Sequence, residues 1–241
     1  MARDRRRVLL KLSGEALMGD NAYGIDPKTL DYYCEQLIEV MSSGCQVAVV
    51  IGGGNIFRGV SLAASGMNRV SADHMGMLAT VINGLALQDN LERRGIAVRL
   101  QSGLRIGHAI EPFSHKHALH HLEHNRLVIF VAGTGSPFFS TDTAASLRAA
   151  EIEADLLVKA TKVDGVYSAD PLSNPNATRY DVLSFSAILE QQLGVMDAAA
   201  IALCRENDIP LRVCDVQSPG NLLAVVNGEH VGTLVNREGK L

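Results

Sequence analysis

The chain has 241 residues, 47% hydrophobic and 20% charged, with 22 Lys and Arg against 26 Asp and Glu, a net charge of −4 and no tryptophan. That length and balance suit one globular domain or two small ones with a sizeable core. The acidic excess and the 5% of aromatics exclude a protein built to coat DNA or RNA, which needs clustered surplus cations or stacking platforms.

In MARDRRRVLLKLSG, Lys11 interrupts the apolar run well short of a signal-peptide core. No stretch approaches the roughly 18 apolar residues of a bilayer span, so no membrane partner is expected. Arg3, Arg5, Arg6 and Arg7 read as a solvated terminus. Cys34, Cys45, Cys204 and Cys214 make no CxxC pair, as expected of thiols in a reducing compartment, here the cytoplasm.

Short apolar runs recur along the chain: Val8–Leu12, Val47–Ile51, Ala97–Leu100, Leu127–Val131, Leu156–Lys159, Leu211–Val213 and Val231–Val235. Helical patterns lie between them. Asp26-Pro27 opens a helix striped by Leu30, Tyr33, Leu37 and Val40 and closed by Gly44. A second opens at Ser71, with Met75, Leu78, Ile82 and Leu85 predicted as its buried face. A third follows Ser140-Thr141-Asp142, with Ala144, Leu147 and Ala150 spaced for burial, and others fit Ser186–Gln192, Met196–Asn207 and Pro219–Asn227. Ala169–Asp181 reads as a surface loop. Alternating strands and helices predict an α/β fold, a mainly parallel sheet covered on both faces, as a single domain over 1–241.

Four strands run directly into loops of glycine or small polar residues: VLLKLSGEAL, VAVVIGGGN, VIFVAGTGSPFFSTD and LLVKATKVDGVYSADP. In a parallel sheet these loops share the carboxyl edge, where open α/β folds bind ligands, and glycine lets backbone N–H groups approach an anion. Neither GxxxxGK[ST] nor GxGxxG is present, which excludes a Walker-type site and weakens a dinucleotide reading. Lys11 is either a strand-end lysine reaching solvent or a cation aimed into a phosphate site, and the Ser13-Gly14 that follows favours the second. The fork of Arg58 suits phosphate oxygens, and Lys159 and Lys162 add a local positive field. Asp73 fits a first-turn dipole partner or a ribose-hydroxyl acceptor. Asp142 fits a helix-start residue or a group that orients lysines or magnesium. His108, His115, His117, His120, His121 and His124 contain pairs at metal-chelating spacing but read as surface histidines.

With KLSGEAL, VIGGGNIFRG, MNRVSADHMGMLATVINGLAL, AGTGSPFFSTDTAASLRAAEI and KATKVDGVYSADP in this order, the whole chain resembles the bacterial UMP kinase family, of the amino acid kinase fold. The resemblance implies a three-layer α/β/α sandwich that moves the γ-phosphoryl group of ATP to UMP. It also implies magnesium carried by the nucleotide phosphates, a homohexamer, and GTP and UTP as effectors. By resemblance, Lys11, Leu12, Ser13, Gly14, Gly54 and Arg58 form the ATP phosphate side, and Thr161, Tyr167 and Asp170 the adenine and ribose side. Gly53, Asp73, Thr134, Gly135, Ser136, Pro137, Phe138, Phe139, Ser140 and Thr141 form the UMP site, mainly in the N-terminal half, with the ATP site mainly in the C-terminal half. Gly19, Asp20, Asn21, Ala22, Tyr23 and Gly24 correspond to the effector segment. Lys11, Arg58 and Asp142 are the expected catalytic set. The sequence departs from the family at Ser136, where Asn is usual, and over Gln101–Ser114. Rival readings are a carboxylate or carbamate kinase of the same fold, and a nucleotide- or metal-binding storage or regulatory protein.

Overall fold

The computed structural model describes residues 5–57, 66–171 and 173–240. Strand β1 (Arg7–Leu12) is buried throughout and leads through a 3₁₀ turn (Gly14–Met18) to helix α1 (Pro27–Ser42). The Asp26 carboxylate accepts the Thr29 N–H at 2.8 Å, Pro27 occupies the first helical position, and Gly44 at φ +89° follows the last turn. Leu30, Tyr33, Leu37 and Val40 are buried, as their stripe predicts.

After β2 (Gln46–Ile51), helix α2 (Arg69–Arg93) starts two residues before Ser71, because the Asn68 side chain accepts the Ser71 N–H. Asp73 therefore stands in the second turn, where the dipole role weakens. The predicted buried stripe is on the wrong face: Met75, Leu78, Ile82 and Leu85 are 42%, 49%, 51% and 43% exposed. The covered face carries Ala72, Met77, Val81, Gly84, Leu87 and Leu91. Close approach to the sheet selects small residues there. A Cβ on Gly84 would lie 2.4 Å from Val131 Cγ1, so the bulky stripe is left outside.

The chain continues through β3 (Val98–Ser102), β4 (Glu111–Pro112), α3 (His115–Glu123), β5 (Leu127–Val131), α4 (Thr141–Glu151), β6 (Leu156–Thr161), β7 (Val166–Tyr167), β8 (Arg179–Tyr180) and β9 (Val182–Ser184). It ends with α5 (Phe185–Glu190), α6 (Ala198–Glu206), β10 (Leu211–Asp215), α7 (Asn221–Val226) and β11 (Thr233–Asn236). The main sheet has the order β4-β3-β5-β2-β1-β6-β10-β11-β9, and every pairing is parallel except β10 with β11. The predicted loop Ala169–Asp181 contains β8, which pairs with β7 in a separate hairpin. On α4, Ala144, Ala145 and Ala149 are buried, while Leu147 and Ala150 are half-buried.

Alternate residues of the central strands pack on opposite faces. Val8, Leu10, Val49 and Val158 join α1, α2 and α7 in one core layer, and Leu9, Val50, Phe130 and Leu157 join α3, α4, α5 and α6 in the other. The fold is thus a three-layer α/β/α sandwich, and two-sided burial explains the unbroken apolar runs. Arg7 is a correction to the solvated terminus: it is 1% exposed, its Nε donates to Gln46 Oε1 at 2.7 Å and its Nη1 to the Ile152 carbonyl. Among the described residues no helix is long and apolar enough to cross a membrane.

Candidate active site at the carboxyl edge of the sheet

Strands β5, β2, β1 and β6 are consecutive and parallel, so Val131, Ile51, Leu12 and Thr161 all end at one edge and their four loops meet. Two glycines permit the approach. A Cβ on Gly14 would lie 2.7 Å from both the Gly52 carbonyl and the Gly54 amide nitrogen, and one on Gly53 would lie 2.8 Å from the Gly76 carbonyl of α2. Leu12 packs its side chain into the core, and its carbonyl accepts the Gly52 N–H at 2.9 Å. Arg58 lies outside the described residues.

Lys11 and Lys159 are register partners on β1 and β6, and both point to the face covered by α4. Asp142, in the first turn of α4, separates the two charges: Oδ1 lies 2.7 Å from Lys11 Nζ and Oδ2 accepts from Lys159 Nζ at 2.8 Å. Burial pushes the Asp142 carboxyl up, but the two ammonium groups outweigh it and hold it below its ordinary 3.8. Burial pulls Lys159 down from 10.5, against the attraction of Asp142 and with the repulsion of Lys11. Lys159 also donates to the Val195 carbonyl. The start of α4 is pinned twice: the Ser140 side chain accepts the Asp142 and Thr143 N–H groups, and Asp197 accepts from the Ser140 and Thr143 hydroxyls.

On one side of this cluster is a cleft of about 290 Å³ lined by Gly53, Gly54, Asp73, Thr134, Phe138, Phe139, Ser140 and Thr141, together with Arg69 and Thr80. Gly135, Ser136 and Pro137 stand outside that lining. Asp73 is fully engaged: both oxygens lie 2.9 Å from Arg69 Nε, and Oδ2 accepts the Phe138 N–H at 2.8 Å. Phe138 has φ +74°, a rare conformation for an aromatic residue, and the Arg69 guanidinium sits 5.6 Å from its ring centre. Thr80 accepts the Ala132 N–H, fixing the root of the Thr134–Thr141 loop.

On the other side, a cleft of about 480 Å³ is lined by Lys159, Thr161, Tyr167, Asp170, Leu193 and Val195. A neighbouring one of about 270 Å³ shares Lys159 and Thr161 and adds Lys11, Ser13 and Lys162. Tyr167 donates to Asp164 at 2.7 Å, and the Asp170 carbonyl accepts the Asn174 N–H. The segment from Gly19 to Gly24 lines none of these clefts. It is tied to the glycine loop by the Gly24 N–H on the Asn55 carbonyl and by the Asn55 amide on the Gly24 carbonyl, and Asn55 exchanges amide hydrogen bonds with Asn83 of α2. Tyr23 in this segment is exposed.

The histidines divide. His121 is buried, with Nε2 3.1 Å from Glu111 and Nδ1 accepting from Arg126, while His117 lies on the surface 2.9 Å from Glu111. Among the described residues, no three His, Cys, Asp or Glu side chains gather as a metal-holding group. Arg69, Thr80 and Asp197 escaped the sequence reading because their geometry depends on contacts 52 to 69 residues away; only the i, i+4 spacing of Arg69 and Asp73 was visible.

Glycine loops, a pinned helix start and a lysine–aspartate–lysine cluster between two clefts define an α/β protein that handles phosphate-bearing ligands. The chain belongs to the amino acid kinase family, whose model matches residues 6–215. It is 58% identical over 230 residues to a uridylate kinase of Xanthomonas oryzae pv. oryzae, covering 95% of this chain and 96% of that protein. Its fold matches the crystal structure of UMP kinase from Bacillus anthracis with a TM-score of 0.95 at 37% identity, covering 99% of each chain. The crystal structure of UMP kinase from Ureaplasma parvum matches with a TM-score of 0.91 at 37% identity, covering 98% of this chain and all of that one.

Proposed function

We propose that this chain transfers the γ-phosphoryl group of ATP to UMP, giving UDP and ADP. The observation that carries the reading is the Lys11–Asp142–Lys159 cluster, set between the two clefts. The acceptor is already a phosphate oxyanion, so no general base is needed; the barrier lies in bringing two polyanions together. Two unit charges about 5 Å apart repel by roughly 3 kcal/mol at an effective dielectric near 20, and the lysines offset that where charge develops. Asp142 stays ionised and holds both ammonium groups in place.

In this reading the acceptor occupies the cleft of Gly53, Asp73 and Thr134–Thr141, and Asp73 turns from Arg69 to the ribose hydroxyls. ATP occupies the cleft of Thr161, Tyr167 and Asp170, with its phosphates over Lys11, Ser13 and Gly14 and reaching toward Gly54, which lines the acceptor cleft; Arg58 is assigned to the same phosphates by the resemblance alone. The chain acts as a single domain, with its acceptor site mainly in the N-terminal half. Magnesium, carried in on the nucleotide, would supply charge neutralisation at the phosphates; the carboxylate of the cluster, Asp142, is committed to Lys11 and Lys159, a donor set that fits a metal held by the nucleotide and not by the protein. The exposed apolar stripe of α2 supports assembly into a homohexamer. Binding of GTP or UTP at the Gly19–Gly24 segment would reach the glycine loop and α2 through Asn55 and Asn83. Four free thiols suit the cytoplasm.

The test is ADP release from ATP and magnesium across a panel of UMP, CMP, AMP, GMP and carboxylate and carbamate acceptors. Turnover with UMP at least about tenfold above every other acceptor is expected, one such step corresponding to about 1.4 kcal/mol of discrimination. Turnover only with a carboxylate or carbamate, or none with any acceptor, would overturn the reading.

A further inference from the structure

Arg212, the second residue of β10, points away from the catalytic cluster. Its neighbours Leu211 and Val213 pack on the layer of α3 to α6, so Arg212 and Cys214 face the layer of α1 and α7. The residue as a whole is 7% exposed, its guanidinium nitrogens meet solvent, and among the described residues no hydrogen bond or ion pair reaches them. A guanidinium keeps its charge at physiological pH, and proteins hold buried charge against a partner. Burial weakens the hold of this group on its proton, against the pull of the Cys214 thiol, and the nearby Arg6 cation adds to the weakening. Arg6 is itself committed to the Val226 carbonyl.

The group opens into a cleft of about 190 Å³ lined by Asp181, Arg212, His230 and Gly232. The cleft has a constructed wall: Gly232 has φ +72°, and a Cβ there would lie 2.1 Å from the Val213 carbonyl. Exposed His230 adds a second donor at the rim. The single carboxylate in the lining, Asp181, is exposed and pairs with Arg179 at 3.3 Å. At about 190 Å³ it is smaller than each of the three clefts at the sheet edge, a size that suits a small ion.

We propose that this cleft is a phosphate-class oxyanion site, separate from the catalytic clefts, in which Arg212 supplies the bidentate fork and His230 the rim contact. The site stands whether or not the chain phosphorylates UMP, because none of its residues lines the clefts at the sheet edge.

The test uses the intact protein with UMP and a non-hydrolysable ATP analogue at saturation, so that the other clefts are filled. Inorganic phosphate is titrated at constant ionic strength, with sodium chloride as the control. The side-chain Nε–H resonance of Arg212, assigned from its loss in Arg212→Lys, is expected to shift saturably with phosphate and not with chloride. The thermal midpoint is expected to rise with phosphate, as for a ligand that binds the native state. Arg212→Met is expected to abolish the rise, and His230→Asn to weaken phosphate affinity by at least about tenfold, the scale of one charge-assisted hydrogen bond. If Arg212→Met does not fold, the wild-type resonance and His230→Asn carry the test. A resonance that moves no further with phosphate than with chloride overturns the proposal. So does an Arg212→Met protein with altered oligomeric mass and unchanged phosphate response, which would make the partner a carboxylate of a second copy.

Discussion

Asp142 joins the chemistry to the stability of the fold. Lys11 and Lys159 are side by side on neighbouring strands, and without the carboxylate they would repel each other. Asp142→Asn is therefore expected to lower kcat by about 10²- to 10³-fold, the scale of losing a preorganised electrostatic contact, with a smaller change in KM; steady-state kinetics decides. The same carboxyl carries a pH signature. Its folded pKa is lowered below 3.8, so the unfolded chain binds more protons in the window between the two values, and stability rises with pH there. The contribution is complete above the unfolded value and is lost as the pH falls through the folded one. Acid unfolding of wild type and Asp142→Asn should then differ in slope below about pH 4, the ordinary carboxylate range, and parallel curves would contradict it.

At the scale of elements, α2 shows how far a sequence pattern reaches. Its apolar stripe was legible, but the side turned to the sheet was not, because that face is selected by the close approach of Gly84 to Val131 and Leu100. The four strand-to-loop junctions were readable, since an apolar run followed by glycine constrains only local backbone. The pairing of Asp142 with two lysines needed the register of β1 with β6 and the angle of α4, which no local pattern encodes. Two predictions belong here. Leu78→Glu with Ile82→Glu places charge on the exposed stripe while sparing the covered face; under the proposed homohexamer the mass by light scattering should fall below that of wild type, and an unchanged mass would contradict a role of α2 in assembly. Gly53→Ala puts a methyl 2.8 Å from the Gly76 carbonyl and the Ala79 Cβ. Overpacking of this kind costs about 1–3 kcal/mol, so urea unfolding should show that loss, with a higher KM for the acceptor.

Across the whole molecule, the net charge of −4 conceals two cationic regions on opposite faces of one sheet: the lysine cluster at the carboxyl edge and Arg212 beneath α7. Another buried cation, Arg7, ties β1 to Gln46 of β2 and to Ile152 at the end of α4. Composition could not distinguish these from surface arginines, because burial of a charge is decided by tertiary packing. Arg7→Ala leaves two buried acceptors unpaired, at about 1–3 kcal/mol each. It should lower the urea midpoint markedly while leaving kcat of the folded fraction near wild type.

The kinetics of Lys11→Ala test most directly whether the lysine–aspartate–lysine cluster serves phosphoryl transfer to UMP. With saturating UMP and magnesium-ATP, kcat is expected to fall by about 10²-fold or more in a protein whose unfolding midpoint is close to wild type. Unchanged kcat with only a raised KM would contradict it, because Lys11 would then bind substrate without stabilising the transition state.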